Sequence, residues 1–175
     1  MIACRPSRQN WYDFLSDKIE ALPDIQWCAA TLSLGASFQI LRRDEIERKK
    51  CAVTSCFRVF LKKVNRAFLG NASRRFGKTL HCISVIESQK DGRLHIHALL
   101  EIPHYMNTDM DREIFFKDLI NMAKHSDGFE KGRCGQFCVK LVPDVANAKK
   151  WLDYLLKNVT SDRDVIDLVN VSLTS

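Results

Sequence analysis

A pair of apolar runs joined across an Asp-Gly turn constrains this chain more than any other feature. Leu80 to Glu87 and Leu94 to Ile102 flank Ser88-Gln89-Lys90-Asp91-Gly92-Arg93, and Pro103 ends the second run. Asp-Gly between two such runs signals a β-hairpin. Successive side chains on a strand point to opposite faces, so parity assigns each residue to a face. Ile96, Ala98, Leu100 and Ile102 fall with Leu80, Cys82, Ser84 and Ile86 on a mainly apolar face that belongs on the core. The opposite face collects His81, Ile83, Val85 and Glu87 with His95, His97, Leu99 and Glu101.

Register then decides which residues meet. A three-residue loop, Lys90-Asp91-Gly92, with Gly92 left-handed pairs Gln89 with Arg93. Glu87 therefore lies opposite His95, and Val85 opposite His97. A two-residue loop at Asp91-Gly92 would set Glu87 against Ile96 and mix the faces, so the hydrophobic pattern selects the first register. Directly opposed Cβ atoms are ~5 Å apart and alternate residues of one strand ~7 Å, within reach of one divalent ion. His81 pairs instead with Glu101, roughly 13 Å along the strand and too far to share that ion. Two imidazoles and a carboxylate with open positions suit Mn²⁺ or Mg²⁺ in phosphoryl chemistry, although imidazole also takes Zn²⁺. The plainer alternative is a His-x-His pair that binds nothing.

Around the hairpin the chain reads as one α+β domain over its 175 residues, with strands and helices in the order strand, helix, hairpin, helix, strand, helix. Asn10 to Leu22 is an amphipathic helix closed by Pro23. Trp27 to Leu34 is a strand. Arg43 to Leu69 is helical with a break near Val53-Thr54, and Gly70-Asn71 is its C-cap. Asp109 or Asp111 caps a helix running to Lys124. Ser126 to Gly135 is a Gly-rich loop, Gln136 to Val142 a strand, Asn147 to Val159 a helix, and a looser helix follows Asp162. One antiparallel sheet with helices packed on one face accommodates this order. The core spans about 27–158, with an N-terminal helical segment (1–26) and a C-terminal extension (159–175).

The last of those helices carries a second constellation. Ala148, Leu152, Leu155, Leu156 and Val159 form its apolar stripe. Tyr154 lies about 140° from the centre of that stripe at 100° per residue, with Lys157 beside it at i+3. Tyr154 is therefore not a core aromatic; taken alone, the helix reads as displaying a surface tyrosine between lysines.

Charge points to a polyanionic partner. There are 27 Lys+Arg against 21 Asp+Glu, a net charge of +6, with clusters at Arg42-Arg43, Arg48 to Lys50, Lys62-Lys63, Arg74-Arg75 and Lys149-Lys150. Nucleic acid is the first choice for such clusters, solvated helix faces the alternative. Arg74, Arg75, Lys78, Arg93, Lys149 and Lys150 are the candidate nucleic-acid contacts. No apolar run approaches the ~18–20 residues that span a bilayer, and the first residues lack a secretory pattern, so a cytoplasmic or nucleoid-associated protein with no membrane partner is expected. The seven cysteines are an odd count with reduced thiols the default. Neither Cys51-x4-Cys56 nor Cys134-x3-Cys138 has zinc-knuckle spacing, and small apolar packing explains them better. Ala72 to Thr79 mimics a phosphate loop, but a helix precedes it and a strand follows. That inverts the required context, so no nucleotide cofactor is expected and a basic loop touching a phosphate backbone is the better reading.

His95-Ile96-His97 resembles the His-hydrophobe-His motif of the HUH endonuclease superfamily. Glu87 matches the carboxylate ligand of its single-tyrosine replication initiators, and Tyr154-Leu155-Leu156-Lys157 resembles their Tyr-x-x-Lys motif. Trp27 to Leu34 is a weaker match to their first-strand motif. The resemblance implies an RRM-like (ferredoxin-like) βαββαβ sheet and a metal-dependent nickase and strand transferase acting on single-stranded DNA or an origin hairpin. It implies Glu87, His95 and His97 as ligands of Mn²⁺ or Mg²⁺, Tyr154 as the nucleophile forming a 5′-phosphotyrosine, and Lys157 as its helper. Lys150 and Asn158 occupy the places of a second tyrosine, which fits the single-tyrosine class. No helicase domain follows in this sequence, so a separate helicase is the expected partner in rolling-circle replication of a plasmid or phage. A transposase of the same superfamily and a non-catalytic RRM-like nucleic-acid-binding module are the alternatives.

Overall fold

The computed structural model describes residues 7–40, 42–88, 91–129, 137–157 and the backbone of 165–166. In chain order the elements are α1 (Arg8–Glu20), β1 (Gln26–Ser33), α2 (Ile46–Leu69), α3 (Asn71–Phe76), β2 (Cys82–Ser88), β3 (Leu94–Ile102), α4 (Asp109–Lys124), β4 (Phe137–Val142), α5 (Val145–Leu156) and β5 (Val165–Ile166). Short 3₁₀ turns at Ala36–Phe38 and Arg43–Glu45 precede α2. The strands form one sheet in the order β4-β1-β3-β2-β5, every neighbouring pair antiparallel. Strands β1 to β4 with crossover helices α2 and α4 make the expected α+β, ferredoxin-like βαββαβ arrangement.

Local chemistry sets most boundaries. Ser7 caps α1 by accepting the Asn10 N–H, so that helix starts two residues before Asn10 was reached by periodicity. Thr108, rather than Asp109 or Asp111, is the N-cap of α4. Its hydroxyl accepts the Asp111 N–H while the Asp111 carboxylate accepts the Thr108 N–H, a reciprocal capping box. Asp144 caps α5 through the Asn147 N–H, moving its start ahead of Asn147.

Other expectations are corrected. Helix α2 runs unbroken through Val53-Thr54, because Val53 is fully buried in the core. Packing of that side chain outweighs the few tenths of a kcal/mol by which β-branching disfavours a helix. Asn71–Phe76 is a helical turn rather than a loop. After Asp162 the described backbone at Val165–Ile166 is extended and pairs with β2, since the edge of β2 offers it ladder hydrogen bonds. Gln89 and Lys90 of the turn, the loop beyond Phe129 with Cys134, and the helix end at Asn158-Val159 lie outside the described residues.

Both sheet faces carry helices, where the sequence had placed them on one. On the even face, Ile86, Ile96, Ala98 and Leu100 pack with Val53, Phe57, Phe60 and Val64 of α2 and Phe115 and Leu119 of α4. On the other face, Leu15 and Ile19 of α1 and Leu152, Leu155 and Leu156 of α5 cover Trp27, Ala29, Ile83, Val85 and Leu99. An ion pair from Arg8 to Asp153 (2.6 Å) and one from Lys149 to Glu20 tie α1 to α5. Cys28 and Cys82 are buried, with burial pushing the Cys28 thiol up to about 12, whereas Cys51 and Cys138 are exposed. Among the described residues, no helix is long and apolar enough to cross a membrane.

The hairpin tip is anchored from outside. Gly92 has φ +81°, as a left-handed turn position requires, and its carbonyl accepts the Ile40 N–H at 2.8 Å. A Cβ at Gly92 would stand 2.2 Å from the Ile40 carbonyl oxygen. Gln39 Nε2 donates to the Asp91 carbonyl. The chain after β1 thereby fixes the turn beside which the histidines stand.

Candidate metal and nucleophile site

The hairpin has the register that places Glu87 opposite His95 and Val85 opposite His97. Glu87 therefore joins both histidines on the face that α5 covers only in part. Nε2 of His97 lies 2.8 Å from Glu87 Oε2, and the two imidazoles are nearly parallel with ring centres 6.5 Å apart. His81 does face Glu101, whose carboxylate accepts the His81 backbone N–H at 2.8 Å, apart from this cluster.

Strand β1 contributes two residues that sequence reasoning missed. Its pairing with β3 sets Thr31 opposite His97 and Ser33 opposite His95. Thr31 Oγ1 lies 3.1 Å from His97 Nδ1, and Ser33 Oγ 3.3 Å from His95 Nδ1. Both hydroxyls engage Nδ1, so Nε2 is the nitrogen left for other partners, and that of His97 meets Glu87. A hydroxyl donates or accepts, so it supports either imidazole tautomer. Thr31 and Ser33 share odd parity on β1 with Trp27 and Ala29, and that alternation was the only signal for them.

Burial holds both histidines below the usual histidine pKa of 6.5. For His95 the charge of Arg93 adds to desolvation, while Glu87 and Asp91 oppose it. For His97 desolvation leads, Glu87 opposes it, and His95 and Lys157 reinforce it. Neutral imidazoles are the form that ligates a metal.

Helix α5 brings the second constellation to the first. The Tyr154 ring stands edge-on to His97, centres 5.9 Å apart at 88°. Lys157 Nζ lies 3.8 Å from the centre of the Tyr154 ring and 3.9 Å from Glu87 Oε1. Residues 57 or more positions apart in sequence thus share one patch. Trp151 also packs edge-on against Tyr154, ring centres 4.9 Å apart. Between α5 and the edge strand β4 a cavity of about 350 Å³ opens beside Tyr154, lined by Leu141, Pro143, Asn147, Lys150 and Trp151.

No family model, curated protein or solved structure matches this chain.

The donor set fits a divalent ion in kind: two Nε2 atoms backed by hydroxyls at Nδ1, and one carboxylate. Among the described residues, however, no three His, Cys, Asp or Glu side chains are gathered closely enough to form a metal cluster. Glu87 instead bridges His97 and Lys157. The six basic candidates scatter. Lys150 lines the cavity beside Tyr154, Arg93 pairs with Asp91 at 2.6 Å near the hairpin tip, and Lys149 is held by Glu20. Arg74, Arg75 and Lys78 lie in and after α3, at the opposite end of β2 from Glu87.

Proposed function

We propose that this chain is a metal-dependent single-stranded DNA endonuclease and strand transferase that nicks and rejoins DNA through Tyr154. The observation that carries the reading is the contact of Tyr154 and Lys157 with His97 and Glu87, made between a helix and a hairpin remote in sequence.

Glu87, His95 and His97 are the residues that would hold Mn²⁺ or Mg²⁺. Bound there, the ion supplies Lewis-acid polarisation of the scissile phosphate. Tyr154 Oη attacks phosphorus; the P–O3′ bond breaks as the P–Oη bond forms, leaving a 5′-phosphotyrosine and a 3′-hydroxyl once the departing oxygen takes a proton. Attack by a 3′-hydroxyl reverses these bonds and rejoins a strand without nucleotide hydrolysis. The Lys157 ammonium stabilises the negative charge that develops at phosphorus. Thr31 and Ser33 hold the imidazoles by Nδ1 so that each Nε2 faces the reacting side. The cavity beside Tyr154, with Trp151 and Lys150 in its wall, suits a base and phosphate of a single strand.

The reading fits a replication initiator of a plasmid or phage working beside a separate helicase, and a transposase would use the same step. Incubation with single-stranded oligonucleotides and Mn²⁺, followed by a denaturing gel, tests it. Wild-type protein gives a covalent adduct, and Tyr154→Phe gives none. An adduct that survives Tyr154→Phe removes Tyr154 as nucleophile. Oligonucleotide binding with normal metal uptake and no adduct identifies a non-catalytic nucleic-acid-binding module instead. The uncovered end of this strand face carries histidines and Glu87, largely buried, where an RNA-binding sheet of this kind displays stacking aromatics.

A further inference from the structure

Helices α2 and α3 flank a second, open cavity of about 540 Å³, lined by Lys62, Asn65, Arg66, Ser73, Arg74, Gly77 and Thr79. No acidic residue is among them. Lys62 and Arg66 stand one turn apart on α2, a spacing at which like charges repel, and Arg74 adds a third cation. Several cations elsewhere are paired, Arg8 with Asp153, Arg93 with Asp91 and Arg112 with Asp109. Lys62, Arg66 and Arg74 have no carboxylate partner among the described residues.

Asn65 is the second and independent sign. It is only 7 % exposed, and its Oδ1 accepts the Leu80 N–H at 2.9 Å. That bond fixes the amide orientation and leaves Nδ2 with no acceptor among the described residues. An amide donor in the cavity wall beside three cations without carboxylate partners suits an oxygen-rich anion.

We infer that this cavity binds a phosphate group, held by Lys62, Arg66 and Arg74 and by donation from Asn65 Nδ2 and the Ser73 hydroxyl. It uses some residues of the stretch that mimics a phosphate loop, but by side chains. The Gly77 and Lys78 amides already donate to the Ser73 and Ala72 carbonyls, so no backbone cradle is open there. The cavity is separate from the Tyr154 site. Thr79 precedes Glu87 by eight residues, about 26 Å at strand rise, and α2 packs on the sheet face opposite the histidines. The inference does not depend on the Tyr154 chemistry. The phosphate belongs either to a polynucleotide backbone or to a small phosphorylated ligand.

The test uses the full chain in two measurements. The first compares thermal unfolding in inorganic phosphate and in chloride at matched ionic strength. The second measures oligonucleotide affinity by fluorescence anisotropy across a salt series. Variants are Arg66→Glu/Arg74→Glu, and separately Asn65→Asp, which keeps an acceptor for the Leu80 N–H while removing the donor. Circular dichroism establishes that each is folded. The wild type should gain thermal stability in phosphate beyond chloride, and both variants should lose that gain. If the double variant also binds oligonucleotide about tenfold or more weakly, with a salt slope shallower by about 2, the phosphate is that of a polynucleotide. Weakened oligonucleotide binding without any response to free phosphate makes the same assignment. Lost phosphate response with unchanged oligonucleotide binding assigns a small phosphorylated ligand. If the variants differ from wild type in neither measurement, the inference is overturned.

Discussion

The face of the sheet that bears the histidines is two surfaces joined end to end. At one end Trp27, Ala29, Ile83, Val85 and Leu99 are apolar and lie under α1 and α5. At the other, Thr31, Ser33, Glu87, His95 and His97 are polar, and among the described residues Tyr154 and Lys157 reach them from α5. The change happens within one step of alternation: Leu99 to His97 on β3, Val85 to Glu87 on β2, Ala29 to Thr31 on β1. Strand geometry is the same on both sides of that step. The first end is therefore held mainly by burial, with the His81–Glu101 pair at its margin, whereas the other keeps partly desolvated polar groups in fixed positions. The apolar end acts as the mount on which the polar end is presented.

Substitutions on either side of the step should separate stability from chemistry. Leu99→Ala, at a fully buried site, should lower unfolding free energy by about 2–5 kcal/mol in denaturant titration, with metal affinity kept under native conditions. A comparable loss of metal affinity would mean that the two ends are not separable. Across the step, Glu87→Ala should leave the unfolding midpoint nearly unchanged and weaken Mn²⁺ binding by about a hundredfold or more, since loss of a ligand exceeds the loss of a residue behind one. Unchanged affinity in calorimetric titration would remove Glu87 from the metal set. Thr31→Val, which deletes the hydroxyl beside His97 Nδ1 while keeping β-branched shape, should weaken Mn²⁺ binding about tenfold. Equal affinity would reduce Thr31 to a packing residue.

The smallest effect is in pH. Both histidines have folded pKa values below the usual 6.5, so as pH falls the unfolded chain binds protons first. Their contribution to stability is complete above about pH 6.5 and is lost on acidification below it. Thermal midpoints should fall as pH is lowered from 6.5, less steeply in His97→Gln. A wild-type midpoint that rises over that interval contradicts the burial argument.

How much of this was legible in the sequence follows the range of the interactions. The hairpin register was, because turn chemistry at Gly92 and the alternation of Ile96, His97 and Ala98 agree locally. The orientation of Tyr154 away from Leu152, Leu155 and Leu156 was legible from helical periodicity, since it concerns one element. Thr31 and Ser33 were not, because their role exists only once β1 pairs with β3, more than sixty residues away. The packing of α1 and α5 on the second face escaped for the same reason: an apolar stripe does not say which surface it will cover. Val53 misled in the opposite direction, a local propensity overruled by its buried place under the sheet.

The central claim, that the polar end and Tyr154 form one reactive site, is tested most directly by mass spectrometry of the covalent product. Wild-type protein is incubated with Mn²⁺ and a single-stranded oligonucleotide, digested with protease and nuclease, and its peptides are mapped. The account predicts a nucleotide joined through its 5′-phosphate to the peptide containing Tyr154, with Tyr12 and Tyr105 unmodified. Attachment at either of those residues, or cleaved DNA bearing a free 5′-phosphate with no modified peptide, would contradict it.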